Sequence, residues 1–323
     1  MYGWDDLKKI TRPTEDEVPC PVRGCDQWVN RQRGRFRRND AFLCMKHGIY
    51  ISPSTFEYER LIDNLLTRED RDLSLLSDVL KVKTESRMRR DNSEDAVVWN
   101  VFRTLEKKEN LSGLLYHLEL ASVEDIHLKY WSHFKDGKTW EELTLAREEF
   151  KERSKFRTEP DLILHSPKSK RLSFLEAKLG SNVKQKFKHT GPELSRRREK
   201  YGDHDLFEEV FKKSYTFESV AIEGRHYELL RQWLLGNWLA KKLGAEFLHL
   251  LLARDSQKKD GESFGKFIVQ DSLRTFRVLT WNDLHGFFSS ELEEPELANY
   301  LEQKTLGYKK KGSEYHLQRL LNS

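Results

Sequence analysis

Two helices stand out from the spacing of apolar residues along the chain. Residues 97, 98, 101, 102 and 105 lie on one helical face, and Asn92 or Ser93 can cap the start of this helix. A second apolar pattern predicts a long helix from Arg225 to Leu243, ending at Gly244. Since an apolar face needs a core to pack against, these helices predict a globular domain.

Shorter apolar runs predict strands. The predicted strands are 159–164, 172–178, Phe247–Ala253 and Thr275–Trp281. Ser166–Lys170 supplies a turn between the first two, and Asn282 is placed to cap a helix that begins at Asp283. Strands that alternate with long helices imply an α/β fold, in which a mixed central sheet is flanked by helices.

The remaining segments complete a three-part organisation. Phe56–Arg90 is rich in apolar and charged residues and lacks proline, which predicts one or two helices with a break at Asp70–Asp72. Ile126–Trp131 predicts a strand and Trp140–Phe150 a helix. With a boundary near Met88–Asn92, the predicted domains are a module at 1–52, a helical linker at 53–90 and a larger domain at 91–323.

The predicted hairpin brings Asp161, Glu176 and Lys178 together. Side chains alternate along a strand, so Glu176 and Lys178 point the same way while Ala177 packs on the other side. Mg²⁺ is usually held by one or two carboxylates together with water and substrate phosphate, and a lysine can offset charge on the scissile phosphate. The set therefore indicates metal-dependent phosphodiester hydrolysis, with an ordinary hairpin bearing surface charges as the alternative.

The same residues resemble a known active site. Pro160, Asp161, Glu176, Ala177 and Lys178 resemble the motif of the PD-(D/E)XK nuclease superfamily, which includes many restriction enzymes and repair nucleases. Glu-x-Lys alone recurs by chance in a charged chain, but Pro160-Asp161 is the only Pro-Asp dipeptide here and leads directly into an apolar run.

The resemblance implies both a fold and a site. It implies a restriction-endonuclease-like core and a catalytic Mg²⁺ or Mn²⁺ held by Asp161, Glu176 and the backbone carbonyl of Ala177, with Lys178 as the catalytic lysine. In that superfamily an acidic residue on a preceding helix often joins the metal site, and Glu94 is the candidate here. Glu94 also lies in the first turn of its helix, where the helix dipole favours a carboxylate for structural reasons.

The three cysteines all fall within the first 44 residues. Cys20 and Cys25 form one pair, and Cys44 with His47 forms a second, which is the ligand set that a tetrahedral structural Zn²⁺ requires. Gly24 suits the tight turn of the first pair. An odd cysteine count in a chain without a secretion signal disfavours disulfides, and buried free thiols are the alternative.

Basic residues cluster in two places, although the net charge of +4 and the pI of 8.7 are only mildly basic. The predicted DNA-binding residues are Arg31, Arg33, Arg35, Arg37, Arg38, Lys184, Lys186 and Lys188. Solvated surface charge is the alternative for each cluster. Trp28 and Phe36 could stack on bases or pack over the zinc, and packing is favoured for Trp28.

These patterns favour a cytoplasmic metal-dependent DNA endonuclease of a restriction or genome-defence system, acting as a homodimer or with an accessory protein. The restriction or defence role rests on the resemblance alone. Two alternatives remain: a catalytically inactive nuclease-like subunit that binds DNA, and a zinc-bearing adaptor for other proteins. No apolar run reaches the length of a membrane span. His249 alternates with apolar neighbours and is predicted to be a core histidine with a hydrogen-bond partner.

Overall fold

The chain forms two compact units, each assembled from separate segments. The computed structural model describes residues 2–8, 11, 13–34, 36–53, 55–83, 87–117, 125–133, 139–152, 157–187, 190–306, 308–311 and 314–317. Unit 1 comprises Met1–Leu73, Glu85–Lys107 and Trp281–Ser323, and unit 2 comprises Ser74–Thr84 and Lys108–Thr280.

Unit 2 is built on a five-stranded mixed sheet. Its strands are β6 (His127–Tyr130), β7 (Leu162–Ser166), β8 (Arg171–Ala177), β9 (Glu246–Ala253) and β10 (Arg274–Thr280), in the spatial order β10-β9-β8-β7-β6. The pairs β6–β7 and β7–β8 are antiparallel, whereas β8–β9 and β9–β10 are parallel. β8 is thus the strand at which the sheet changes direction, and the predicted mixed sheet is confirmed.

Helices cover the sheet of unit 2. They are α3 (Leu111–His117), α4 (Glu141–Glu149), α5 (Gly191–Arg197), α6 (Asp205–Val210), α7 (Tyr227–Leu243) and α8 (Lys258–Glu262); α1 (Asp70–Val82) begins in unit 1 and continues in unit 2. The core includes the wholly buried Trp233 and Leu234 of α7 together with Phe174 and Leu251 of the sheet. Burial of such large apolar side chains is the main stabilising contribution in this unit.

Two glycines set the path of α7. Gly244 adopts a left-handed conformation with φ of 61° and ends the helix, as predicted. Gly236 lies in the middle of α7 against the Phe247 ring of β9, and a Cβ atom at this position would overlap that ring. The missing side chain therefore allows α7 to approach the sheet closely.

The described residues of unit 1 form short strands and three helices, besides the first residues of α1. Its strands are β1 (Glu17–Pro19), β2 (Trp28–Asn30), β3 (Leu43–Cys44), β4 (Ile49–Ile51), β5 (Phe56–Glu57), β11 (Tyr308–Lys311) and β12 (Glu314–Leu317), and its helices are α2 (Glu94–Lys107), α9 (Trp281–Ser290) and α10 (Pro295–Leu301). A fully buried ion pair joins Lys304 to Asp91, and the Lys304 ammonium also donates to Asn64 Oδ1 at 2.9 Å. Residues far apart in sequence thus meet inside this unit.

The structure confirms most predicted elements and corrects three. Ser93 caps α2 by accepting from the Ala96 amide at 3.2 Å, as predicted. Asp70–Asp72 begins α1 instead of breaking a helix, because acidic residues are favourable in a first turn. Residues 56–69 are not an α-helix: Phe56–Glu57 pairs with β4, and Leu61–Asn64 is a 3₁₀ turn.

The third correction concerns the start of α9, which begins at Trp281 directly after β10 and not at Asp283. The bounds of the two units also differ from the predicted divisions 1–52, 53–90 and 91–323, because residues 85–107 and 281–323 group with the N-terminal segment. None of the helices in the described part of the chain is long and apolar enough to cross a membrane.

Candidate active site and metal-binding cluster

Asp161, Glu176 and Lys178 lie together at the edge where β7 starts and β8 ends. Leu162 pairs with Leu175 across the two strands, so the next step of the antiparallel register sets Asp161 opposite Glu176. The Ala177 amide donates to Asp161 Oδ2 at 2.9 Å, and the Ala177 side chain is buried as predicted. The hairpin therefore brings the two carboxylates together.

Asp161 is held by two donors. Besides the Ala177 amide, the Trp131 indole donates to Asp161 Oδ1 at 3.2 Å. Trp131 and Ser132 have φ values of 45° and 78°, which are unusual for non-glycine residues. Positive φ at both positions suits the two-residue turn that is closed by the mutual backbone hydrogen bonds of Tyr130 and His133, and this turn places Trp131 beside Asp161.

Glu176 is buried, with 4% of the residue exposed. Its Oε1 accepts from the Lys178 ammonium at 2.5 Å, and its Oε2 accepts from Gln232 Nε2 at 2.6 Å. Burial and then the neighbouring Asp161 and Glu228 carboxylates raise the pKa of Glu176 well above its ordinary value, although Lys178 acts in the opposite direction. Ionisation of the Glu176 carboxyl is therefore unfavourable unless a further cation is present.

Lys178 bridges two carboxylates. Its ammonium lies 2.6 Å from Glu228 Oε2 in addition to its contact with Glu176. Its backbone amide donates to Leu252 O at 2.7 Å, which extends the parallel pairing with β9 by one residue. Burial acts to raise the pKa of the Glu228 carboxyl, but the Lys178 ammonium outweighs it and holds that pKa below its usual value.

A buried histidine contacts the cluster through Gln232. His249 Nε2 and Gln232 Oε1 are 2.9 Å apart, so Gln232 connects His249 to Glu176. Burial lowers the pKa of His249 to about 3, which keeps the imidazole neutral at physiological pH. The prediction of a core histidine with a hydrogen-bond partner is confirmed.

The pattern of the sequence did not reveal Trp131, Glu228 and Gln232. Glu228 and Gln232 are four residues apart on α7, so they project from one helical face. That polar pair on an otherwise buried helix is the signal that could have identified them.

The donor set of this cluster suits a hard divalent cation. Glu176 and Glu228 flank the Lys178 ammonium, and the Asp161 carboxylate lies near Glu176. Carboxylate oxygens are the ligands that Mg²⁺ and Mn²⁺ prefer. Among the described residues, Asp161, Glu176 and Glu228 do not form a complete group of metal ligands by themselves. A cation at Asp161 and Glu176 would therefore complete its coordination with water and substrate oxygens, as Mg²⁺ commonly does.

Glu94 belongs to a different unit from the other predicted ligands. It begins α2 in unit 1, whereas Asp161, Glu176 and Lys178 belong to unit 2. Its participation, and that of the Ala177 carbonyl, stay predictions.

The second candidate site is the cluster of Cys20, Cys25, Cys44 and His47, whose ligand atoms all lie within 4.8 Å of one another. His47 Nδ1 lies 3.6 Å from Cys20 Sγ and 3.7 Å from Cys44 Sγ. Gly24 has φ of 73° and forms the turn that returns Cys25 to the cluster. The four side chains could bind a metal such as zinc.

Without a metal, the Cys20 thiol stays protonated and the His47 imidazole stays neutral. Burial raises the pKa of the Cys20 thiol, and the neighbouring Cys44 thiol adds to the effect. Burial and the nearby Lys46 lower the pKa of His47, so the imidazole is neutral and can act as a ligand. Binding of a divalent metal would release the thiol protons.

Local partners neutralise part of the first basic cluster. Arg33 Nη2 lies 3.8 Å from Asp16 Oδ1, and Arg38 is paired with Glu57. Arg31 donates to the Thr14 carbonyl at 3.0 Å. Arg37 is exposed and forms no ion pair with any described residue, whereas Arg35 lies outside the described residues.

The second basic cluster is also partly neutralised by an ion pair. Lys184 pairs with Asp260 at 3.2 Å, and the exposed Lys186 forms no ion pair within the described ranges; Lys188 lies outside them.

Trp28 is 47% exposed, so the prediction that it packs over the zinc is wrong: β2 turns Val29 inward and Trp28 outward. Phe36 is half-buried beneath the Arg90 guanidinium.

Comparisons of the chain with protein-family models, with curated proteins and with solved structures find no match.

Proposed function

We propose that unit 2 is a Mg²⁺- or Mn²⁺-dependent nuclease that hydrolyses phosphodiester bonds in DNA. The observation that carries this proposal is the buried Glu176 carboxylate, which lies beside Asp161 and Lys178 and has a raised pKa. Perturbed ionisable groups that converge at the end of a sheet are typical of catalytic sites. The five-stranded mixed sheet supports the restriction-endonuclease-like core that the motif resemblance implies.

Each residue of the cluster has a defined role in this reaction. Asp161 and Glu176 hold the cation, which when bound would polarise the phosphoryl oxygen and acidify water. Trp131 and the Ala177 amide orient Asp161, and Gln232 orients Glu176. Lys178 supplies a positive charge that offsets the charge developing on the scissile phosphate.

Unit 1 has a binding role in this proposal. A zinc ion held by Cys20, Cys25, Cys44 and His47 would stabilise the module, and exposed Arg37 would contact the phosphate backbone. Two strand cuts need two active sites or two events, which favours a homodimer or an accessory protein. A role in restriction or genome defence rests on the motif resemblance alone.

Plasmid cleavage in the presence of Mg²⁺ tests the proposal. We expect Asp161→Ala and Lys178→Ala to lower the cleavage rate by about 100-fold or more, since each removes a charge that acts on the transition state. Lys168→Ala is the matched control, because Lys168 is an exposed lysine at the opposite end of the same hairpin. Equal cleavage by all of these proteins would overturn the proposed mechanism.

One observation favours a second candidate function, a nuclease-like subunit that binds DNA without cutting it. The Lys178 ammonium already bridges Glu176 and Glu228, which neutralises part of the cluster without a metal. Calorimetric titration with Mn²⁺ separates the two functions. The nuclease should bind Mn²⁺ in a manner that depends on Asp161 and Glu176, and the binder should not.

A further inference from the structure

The position of the Lys178 ammonium depends on its partners. Lys178 follows the last residue of β8, and its four-carbon side chain has many rotamers. Only 6% of the side chain is exposed, and its ammonium contacts Glu176 Oε1 and Glu228 Oε2. These two hydrogen bonds between charged groups fix where the positive charge lies.

Glu176 cannot serve both a cation and Lys178 without loss. Its Oε1 accepts from Lys178 and its Oε2 accepts from Gln232, so both oxygens are engaged. Each oxygen keeps a second lone pair, so a cation that binds Glu176 would share an oxygen with one of these donors and would repel the nearby ammonium. In that state the bond between Lys178 and Glu228 would still anchor the lysine.

Glu228 is placed to act as this anchor. It lies in the first turn of α7, and Gln185 Nε2 donates to its Oε2 at 3.2 Å. The Gln185 backbone amide donates to the Arg225 carbonyl at 3.0 Å, and this bond connects the segment after Lys178 to the start of α7. The Glu228 side chain is 37% exposed, whereas that of Lys178 is 6% exposed, so Glu228 lies at the solvent side of the cluster.

We propose that Glu228 is a positioning residue that holds the Lys178 ammonium beside the scissile phosphate when Glu176 binds the cation. This inference rests on the proposed nuclease function. Glu228 acts through Lys178 and does not itself contact the reacting atoms.

The test combines kinetics with chemical labelling of Lys178. We expect Glu228→Gln to lower kcat for plasmid cleavage by about 10- to 100-fold, the effect of a small displacement of a catalytic group, with KM changed by less than about twofold. Reductive methylation followed by mass spectrometry should show Lys178 labelled about tenfold faster in this variant, because one hydrogen bond between charged groups is lost. Glu223→Gln is the matched control, since Glu223 is exposed and lies five residues earlier in the same segment.

The two readouts separate failure of the inference from failure of the proposed function. Unchanged labelling of Lys178 in folded Glu228→Gln overturns the inference, whether or not the protein cuts DNA. Faster labelling of Lys178 in Glu228→Gln, combined with a wild-type protein that cuts no DNA, overturns the nuclease function and leaves Glu228 as an anchor of Lys178 alone. A Glu228→Gln variant that cuts as fast as wild type, while Lys178→Ala is inactive, also overturns the inference. Circular dichroism of each variant establishes that it is folded.

Discussion

At the scale of single residues, Glu176 is held in an environment that disfavours its charge. Burial and two neighbouring acids raise its pKa well above the ordinary value. A carboxyl whose pKa is higher in the folded than in the unfolded chain stabilises the fold while protonated, and this contribution is lost as pH rises from about 4.3 through the folded pKa. The cluster therefore weakens the fold at neutral pH, where a bound cation would restore stability.

Glu176→Gln tests this balance. The variant should have a higher Tm than wild type at pH 7.5, by about 2–4 °C for each kcal/mol of charge burial removed, and nearly the same Tm at pH 4. Mg²⁺ should raise the Tm of the wild type and leave that of the variant unchanged. Differential scanning calorimetry at both pH values measures these shifts.

Glu262→Gln serves as the control, because Glu262 is an exposed carboxylate of the same unit. A Tm of Glu176→Gln below that of wild type at pH 7.5 would contradict the argument from burial.

Some residues of the cluster were predictable from sequence and others were not. Alternation along one strand places Glu176 and Lys178 on the same face, and the turn of the hairpin returns the chain to Asp161. Glu228 and Gln232 come from a helix about fifty residues later, and only tertiary packing brings them to β8. Their role could not follow from any local period.

At the scale of elements, the Cys/His cluster depends on very short strands. Cys44 ends the two-residue β3, and His47 lies in the turn before β4. Strands of this length cannot stabilise themselves, so a metal bound to the four side chains would contribute much of the folding free energy. The close spacing of the ligands in sequence made this cluster predictable.

Cys44→Ser should abolish zinc binding and unfold this part of unit 1. We expect the purified variant to contain no stoichiometric zinc by mass spectrometry and to lose protection of the amides in β3 and β4 from hydrogen exchange. Met45→Ala is the control, because Met45 is 75% exposed and lies between two ligands without contributing one. Retention of zinc by Cys44→Ser would show that the cluster is not its site.

Elements with local signals were predicted better than those without. α7 and β9 carry long apolar patterns and end at clear signals such as Gly244. The helix predicted over residues 56–69 from their apolar spacing is wrong, because strand pairing of Phe56–Glu57 with β4 decides the fold there. Pairing between segments overrides local propensity.

At the scale of the whole molecule, unit 1 is assembled from three separate stretches of the chain. Lys304 is buried near the C-terminal end and contacts Asp91, Asn64 and the Tyr58 hydroxyl. The N-terminal segment and the final helices thus share one polar network. Composition could not predict this arrangement, because the contacts join residues more than 200 positions apart.

Lys304→Met should destabilise unit 1 strongly. Removing the positively charged partner of the buried Asp91 carboxylate costs about 3–5 kcal/mol. Urea unfolding followed by tryptophan fluorescence measures the loss, and Asp91→Asn added to Lys304→Met should recover part of it. Glu302→Gln, which removes an exposed charge from the same turn, is the control. A Lys304→Met protein as stable as wild type would show that this network contributes little.

The close approach of α7 to the sheet at Gly236 affects Glu228 and Gln232, which lie about two turns and one turn earlier in the same helix. A methyl group here would act as a wedge against Phe247 and tilt α7 outward. Alanine normally favours a helix over glycine by about 1 kcal/mol, so any loss would come from this tilt. A shift of about 1 Å suffices to spoil a catalytic geometry. The absence of a side chain at Gly236 thereby sets the positions of Glu228 and Gln232 relative to their partners. Gly236→Ala should slow the proposed DNA cleavage while every residue of the cluster remains in place.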